Sequence, residues 1–133
     1  MELIAQTYDS TMLSWAVLVG LMLVQATVVD VTSIRAKHIP GVPVEASHDN
    51  FLFRATRTVG NMNETIAIYI LVVLLAIFSG ANASYVAYCS WGYVIGRIAY
   101  AACYYSDQRI ARSVCFGISM ISVLALFVIG LRA

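Results

Sequence analysis

Charge is scarce in this sequence. Of its 133 residues only 11% are Asp, Glu, Lys or Arg, while 61% are hydrophobic; soluble domains carry about 25% charged residues. A water-facing surface cannot be assembled from that composition, which rules out a soluble globule. A surplus of either sign is missing too, since eight Lys plus Arg face seven Asp plus Glu for a formal +1. With no basic stripe to track a phosphate backbone, nucleic acid is not an expected partner. Proline and histidine number two each, and Pro40, Pro43, His38 and His48 all fall in one segment. The histidines therefore read as exposed loop residues, not as catalytic bases. Cys89, Cys103 and Cys115 are odd in number, sit in apolar stretches and show neither Cys-x-x-Cys nor Cys/His spacing. No disulfide framework and no metal site is expected from them, and buried thiols are the plain reading. A nucleophile elbow, a phosphate-cradling glycine loop and a metal-binding carboxylate or histidine cluster are absent as well. Any reaction must borrow its nucleophile from a bound molecule.

Long apolar runs are what the chain does have. A bilayer core takes about 20 largely apolar residues per helix, and segments at about 11–35, 57–79, 83–105 and 112–131 meet that need. Glu2 and Asp9 stand where a signal peptide would be basic, and the first apolar run exceeds a signal-peptide core, so it is expected to remain as a span. The connections are short, and the length allows one domain. The expectation is a single all-α integral membrane domain over 1–133, a four-helix transmembrane bundle of up-down topology. In the first connection, Pro40, Gly41 and Pro43 break helices, and Ser47, Asp49 and Asn50 can cap a helix starting near Phe51. Arg35, Lys37, Arg54, Arg57, Arg109 and Arg112 flank the first and third connections, with Arg132 alone on the other side. The positive-inside rule then puts those connections in the cytoplasm and both termini outside. Gly92 and Gly96, followed by Ala99, Ala102 and Cys103, give the third span a smooth face for close helix contact.

An unpaired charge in hydrocarbon costs at least ~2.5 to 3.5 kcal/mol, so Asp30, Arg57, Glu64 and Arg97 require partners or a wet cavity. At about 100° per residue, Arg57, Asn61 and Glu64 form one stripe on the second span, with Arg54 at its edge. Tyr93, Arg97, Tyr100 and Tyr104 form another on the third span. Arg112 and Ser113 open the fourth, and Asp30 and Arg35 close the first at the same end. Two readings stand. One is an internal network in which Glu64 and Asp30 neutralise Arg97 or Arg57, with no ligand. The other is an anion site, because Arg35, Arg54, Arg57, Arg97, Arg109 and Arg112 outnumber Asp30, Glu64 and Asp107. The planar fork of arginine suits a carboxylate.

Arg57-x-x-x-Asn61-x-x-Glu64 opening the second span, Arg97-x-x-Tyr100-x-x-x-Tyr104 closing the third and Arg112-Ser113 opening the fourth resemble the MAPEG family. These are membrane-associated proteins in eicosanoid and glutathione metabolism, and so short a chain is similar to their bacterial branch. The resemblance implies a homotrimer in the bacterial inner membrane, with glutathione held at the cytoplasmic side between subunits and a lipophilic electrophile or lipid entering from the bilayer. It implies no metal. Arg57, Asn61, Glu64 and Tyr104 match glutathione-holding positions, Arg57 suiting a carboxylate and Glu64 the ammonium. Arg97 and Tyr100 match further contacts, Arg54 joins the binding set, and Arg35 resembles a basic residue supplied by the neighbouring chain. Arg112 and Ser113 match the catalytic positions at the thiol, with Arg109 the alternative to Arg112. Phe53, Tyr100 and Phe116 stand where various relatives carry an acidic residue, a histidine and a tyrosine. A guanidinium beside a thiol of pKa about 8.5 favours the thiolate; Ser113 would donate to the sulfur or cap the fourth helix.

The activity implied is that of a glutathione-dependent membrane transferase, with peroxidase action on lipid hydroperoxides as a companion. Two rivals are a noncatalytic lipid-binding or scaffold member of the family and a small four-span multidrug exporter. The exporter needs a proton-coupling carboxylate away from cations, whereas Glu64 lies in the second span among them.

Overall fold

Two asparagines start the middle of the molecule. Asn50 accepts a hydrogen bond from the Leu52 amide at 3.0 Å, and Asn82 accepts from Ser84 at 3.0 Å and Tyr85 at 3.4 Å. Each satisfies amides that a helix start leaves without partners. The computed structural model describes residues 2–133, which form five helices and no strand among the described residues. A short α1, Glu2–Thr7, leads into α2, Asp9–Arg35; then come α3, Phe51–Phe78, α4, Ala83–Tyr105, and α5, Arg109–Arg132. The short α1 was not expected.

The long helices stop by a shared device. After α3, Gly80 at φ +75° lets Ala81 donate to the Ala76 carbonyl and Gly80 to that of Ile77, a Schellman closure. Lys37 at φ +52° and Asp107 at φ +56° do the same after α2 and α4, with His38 donating to Ser33 and Gln108 to Cys103.

The Tyr8 hydroxyl donates to the Ala81 carbonyl at 2.6 Å, and Trp91 Nε1 donates to Ser10 Oγ at 3.1 Å, tying the start of α2 to the start of α4. At the other end Arg54 reaches the Tyr105 carbonyl and His48 faces Asp107. Successive long helices therefore run in opposite directions. α3 and α4 each touch both α2 and α5, while α2 and α5 barely meet. The inner pair α3 and α4 carries ten buried residues apiece, the outer two only four each.

What the outer helices bury settles their solvent. α2 turns Thr11, Ser14, Leu18 and Gln25 inward and exposes Leu13, Leu23 and Val24. Polar inward and aliphatic outward reverses the soluble pattern and fits hydrocarbon surroundings. Three helices are long and apolar enough to cross a membrane: Asp9–Arg35, Phe51–Phe78 and Arg109–Arg132. The third expected span, α4, is not among them. Its six tyrosines, two serines, Trp91 and Arg97 lower its hydropathy, and its inner position explains the tolerance, because protein covers much of it.

Gly92 and Gly96 sit where α4 meets α5. A Cβ at Gly96 would meet the Cys115 carbonyl at 3.1 Å and the Ser119 amide at 3.2 Å, both backbone, besides the Ser119 hydroxyl. At Gly92 it would meet only the Ser122 side chain. Gly96→Ala should therefore cost about 1 to 3 kcal/mol through overpacking. Gly92→Ala should stay within about 1 kcal/mol of wild type, because Ser122 can rotate and alanine favours the helix. Thermal unfolding in detergent measures both, and equal losses would contradict the backbone contact.

Candidate functional site

One recess of about 280 Å³ opens where α3, α4 and α5 meet near the 36–50 loop. Arg57 and Asn61 from α3, Tyr100 and Tyr104 from α4, and Arg112, Ser113 and Phe116 from α5 line it. Arg57 with Asn61, Tyr100 with Tyr104 and Arg112 with Phe116 are each four residues apart, so each helix offers one face, with Ser113 beside Arg112. None of the lining residues is acidic.

The positions of the two lining guanidiniums differ. Arg57 is exposed. Arg112 is half-buried with its Cζ 4.5 Å from the Tyr104 ring centroid, and its Nη1 is buried with no hydrogen-bond partner among the described residues. A buried donor without an acceptor is costly, so an acceptor arriving in the recess would be welcome there.

Behind the recess lies Arg97, only 1% exposed. It donates from Nη1 to Asn61 Oδ1 at 2.6 Å and from Nη2 to Thr65 Oγ1, and Thr65 also contacts the Tyr93 hydroxyl at 3.2 Å. Its Cζ stands 5.3 Å from the Tyr93 ring, 5.6 Å from Tyr100 and 5.3 Å from Phe116. Asn61, its carbonyl held by Arg97, turns its amide to Glu64 Oε2 at 3.4 Å. Arg97 thus orients Asn61 and adds positive charge without facing the recess itself.

No carboxylate neutralises Arg97 or Arg57 among the described residues; Arg109 stands 3.7 Å from Asp107, and His48 Nδ1 lies 3.8 Å from the same carboxylate. The internal network with Glu64 and Asp30 is not formed; both are exposed. Arg97→Met would leave the Asn61 carbonyl oxygen without its donor, and stranding a buried partner costs about 1 to 3 kcal/mol. Thermal unfolding should show that loss, and an unchanged midpoint would mean that Asn61 does not depend on Arg97.

The remaining nominated residues lie elsewhere. Arg54 donates to the His48 carbonyl and, at 3.4 Å, to that of Tyr105, so it staples the loop to the end of α4 and does not line the recess. Arg35 is exposed at the end of α2, and the outer position of α2 keeps it from the recess within one chain. Glu64 stands beside the recess through Asn61. Arg109 is drawn onto Asp107, away from Arg112. Ser113 caps nothing: it lies inside the first turns of α5 and its hydroxyl donates to the Arg109 carbonyl at 3.2 Å.

His48 is the residue the sequence reading misjudged. It is half-buried, edge-on to Phe53 at 5.4 Å and stacked on Tyr104 at 6.1 Å. It backs a lining tyrosine from the loop. Its distance in sequence from Asp107 and Tyr104 left no local signal of this.

Compared with known proteins, residues 11–132 match a family model described as the MAPEG family. No curated protein matches the chain.

Proposed function

The chain belongs to the MAPEG family, and from that premise we propose that it is a glutathione-dependent membrane transferase, with peroxidase action on lipid hydroperoxides as its companion activity. The observation that carries this reading is the joint presence of Arg57 and Arg112 in one recess whose lining has no carboxylate. Glutathione brings what such a recess lacks: two carboxylates for guanidiniums, an ammonium for Glu64, and a thiol.

In this reading Arg57 takes a carboxylate in a forked, charge-assisted pair. Asn61, Tyr100 and Tyr104 add hydrogen bonds, and Glu64 at the edge takes the ammonium. Arg112 then faces the sulfur and favours its thiolate. It stays protonated throughout and acts as a fixed charge, not as a base. The thiolate attacks a lipophilic electrophile delivered from the bilayer, so the protein also contributes the meeting of two reactants of opposite solubility.

The same reading has α4 cross the membrane beside the other three long helices in a four-helix bundle, and three chains assembled so that Arg35 of one closes the recess of the next. It places the recess on the cytoplasmic side of a bacterial inner membrane, where the arginines of the first and third connections lie, with both termini outside.

A noncatalytic, binding-only member remains the second reading, favoured by the Ser113 hydroxyl being committed to the Arg109 carbonyl. Family membership sets the exporter aside. Purified protein mixed with glutathione and an activated aryl halide should form the thioether well above the uncatalysed rate. Glutathione binding with no conjugation and no ultraviolet thiolate signal would favour the second reading.

A further inference from the structure

We propose that Cys103 and Cys115 form a redox-active dithiol on the seam between α4 and α5, closed to a disulfide by an organic hydroperoxide and reopened by a small thiol. Close contacts fix the register of that seam. Gly92 of α4 lies against Ser122, and Gly96 against the Cys115 carbonyl and Ser119 amide. Further along, Tyr100 is 6.2 Å from Phe116, and the Arg112 guanidinium is 4.5 Å from Tyr104. The two helices pass each other antiparallel, and each step along α4 meets an earlier residue of α5.

Cys103 lies seven residues beyond Gly96, which puts it about 20° from that glycine on the α5-facing stripe. It falls between Tyr100 and Tyr104, whose partners across the seam are Phe116 and Arg112. Cys115 falls between those two partners. The register thus brings the two cysteines to one level of the seam. Both are free and half-buried, so a small oxidant can reach them. Cys89 is free on the same helix but 14 residues away from Cys103, about 21 Å by helix rise.

The chemistry balances with the hydroperoxide as oxidant. One cysteine, as thiolate, attacks the terminal peroxide oxygen; the O–O bond breaks, the alkoxide leaves and is protonated to the alcohol, and the sulfur becomes a sulfenic acid. The second thiol attacks that sulfur, forming S–S and releasing hydroxide, which takes the thiol proton and leaves as water. Two electrons pass from the thiols to the peroxide. Two equivalents of a small thiol reverse the bond through a mixed disulfide. A transient disulfide of this kind is the form expected in a reducing compartment.

The bond would tie the α4 wall of the recess to its α5 wall, since Tyr104 follows Cys103 and Phe116 follows Cys115. Hydroperoxide would then act back on the recess; that consequence rests on the glutathione reading above, whereas the disulfide does not.

The test uses the full chain in detergent, reduced, then exposed to cumene hydroperoxide, denatured, alkylated and mapped by peptide mass. Cys103 and Cys115 should lose alkylation together in one linked peptide pair, Cys89 should remain alkylated, and dithiothreitol should restore all three. Cys103→Ser and Cys115→Ser should each abolish the linked pair. Retention of both thiols, separate oxidation to sulfinic acids, or a crosslink between two chains would overturn the proposal. If the disulfide forms, glutathione affinity should differ at least threefold between the two states. An unchanged affinity would overturn the feedback on the recess. Absence of glutathione binding in both states would sink the glutathione reading while leaving the disulfide standing.

Discussion

Replacing Arg112 with alanine is expected to slow conjugation at saturating glutathione by about 100-fold while changing glutathione affinity by less than about threefold. The size follows from what one guanidinium does to a thiol at contact distance. A single opposite charge lowers a pKa by about 1 to 3 units, each unit being about 1.4 kcal/mol. An unassisted thiol of pKa about 8.5 is only a few per cent ionised at neutral pH, so the thiolate fraction and the charge on the attacking sulfur both depend on that neighbour. Arg112 is placed for it: its guanidinium is held over Tyr104 and keeps a buried Nη1 without a protein acceptor. The same change at Arg109 should alter either quantity by less than about twofold, because its guanidinium is turned to Asp107. Turnover in the two variants, together with the thiolate absorbance on rapid mixing, separates the roles. Loss of binding without loss of turnover in Arg112→Ala would contradict them.

Arg57→Ala should do the converse, weakening glutathione by about 30-fold and leaving the saturated rate within about threefold. A hydrogen bond to a charged group contributes roughly 1.5 to 3 kcal/mol, and about 2 kcal/mol corresponds to that factor. Arg57 is exposed, so the lost interaction is a docking contact at the mouth of the recess. Its interaction with a carboxylate is the same before and during attack on the electrophile, and uniform binding of that kind moves affinity without moving the chemical step. Titration calorimetry and saturation kinetics on one preparation measure both.

The stripes on single helices were legible because helical periodicity fixes which residues share a face. Arg57 with Asn61 and Tyr100 with Tyr104 do open into one recess, and Arg112 and Ser113 join them. The α4 boundaries and the start at Phe51 were legible too, from capping residues and an apolar run of the right length. Arg54 was not, because a periodic stripe cannot say where a long side chain ends, and this one is taken by two backbone carbonyls. His48 was hidden for the opposite reason: its neighbours come from α4 and the following turn, far away in sequence.

Arg97 shows a further limit. Counting charges in spans called for a carboxylate partner, yet the structure satisfies this cation with an amide, a hydroxyl and three aromatic faces. Neutral oxygens and ring quadrupoles can hold a guanidinium, and no charge count registers them. α4 carries tyrosines that lipid-facing helices avoid and has protein on several sides, so three of the four expected spans are apolar enough to cross a membrane.

The claim beneath all of this is that the recess between α3, α4 and α5 is built for glutathione. Isothermal titration of the folded, detergent-solubilised protein with glutathione tests it most directly, with Arg57→Ala run beside it. The account predicts saturable binding that weakens with added salt and falls about 30-fold in the variant. A folded protein that gives no binding heat and displaces no labelled glutathione, or one that binds equally well without Arg57, would contradict it.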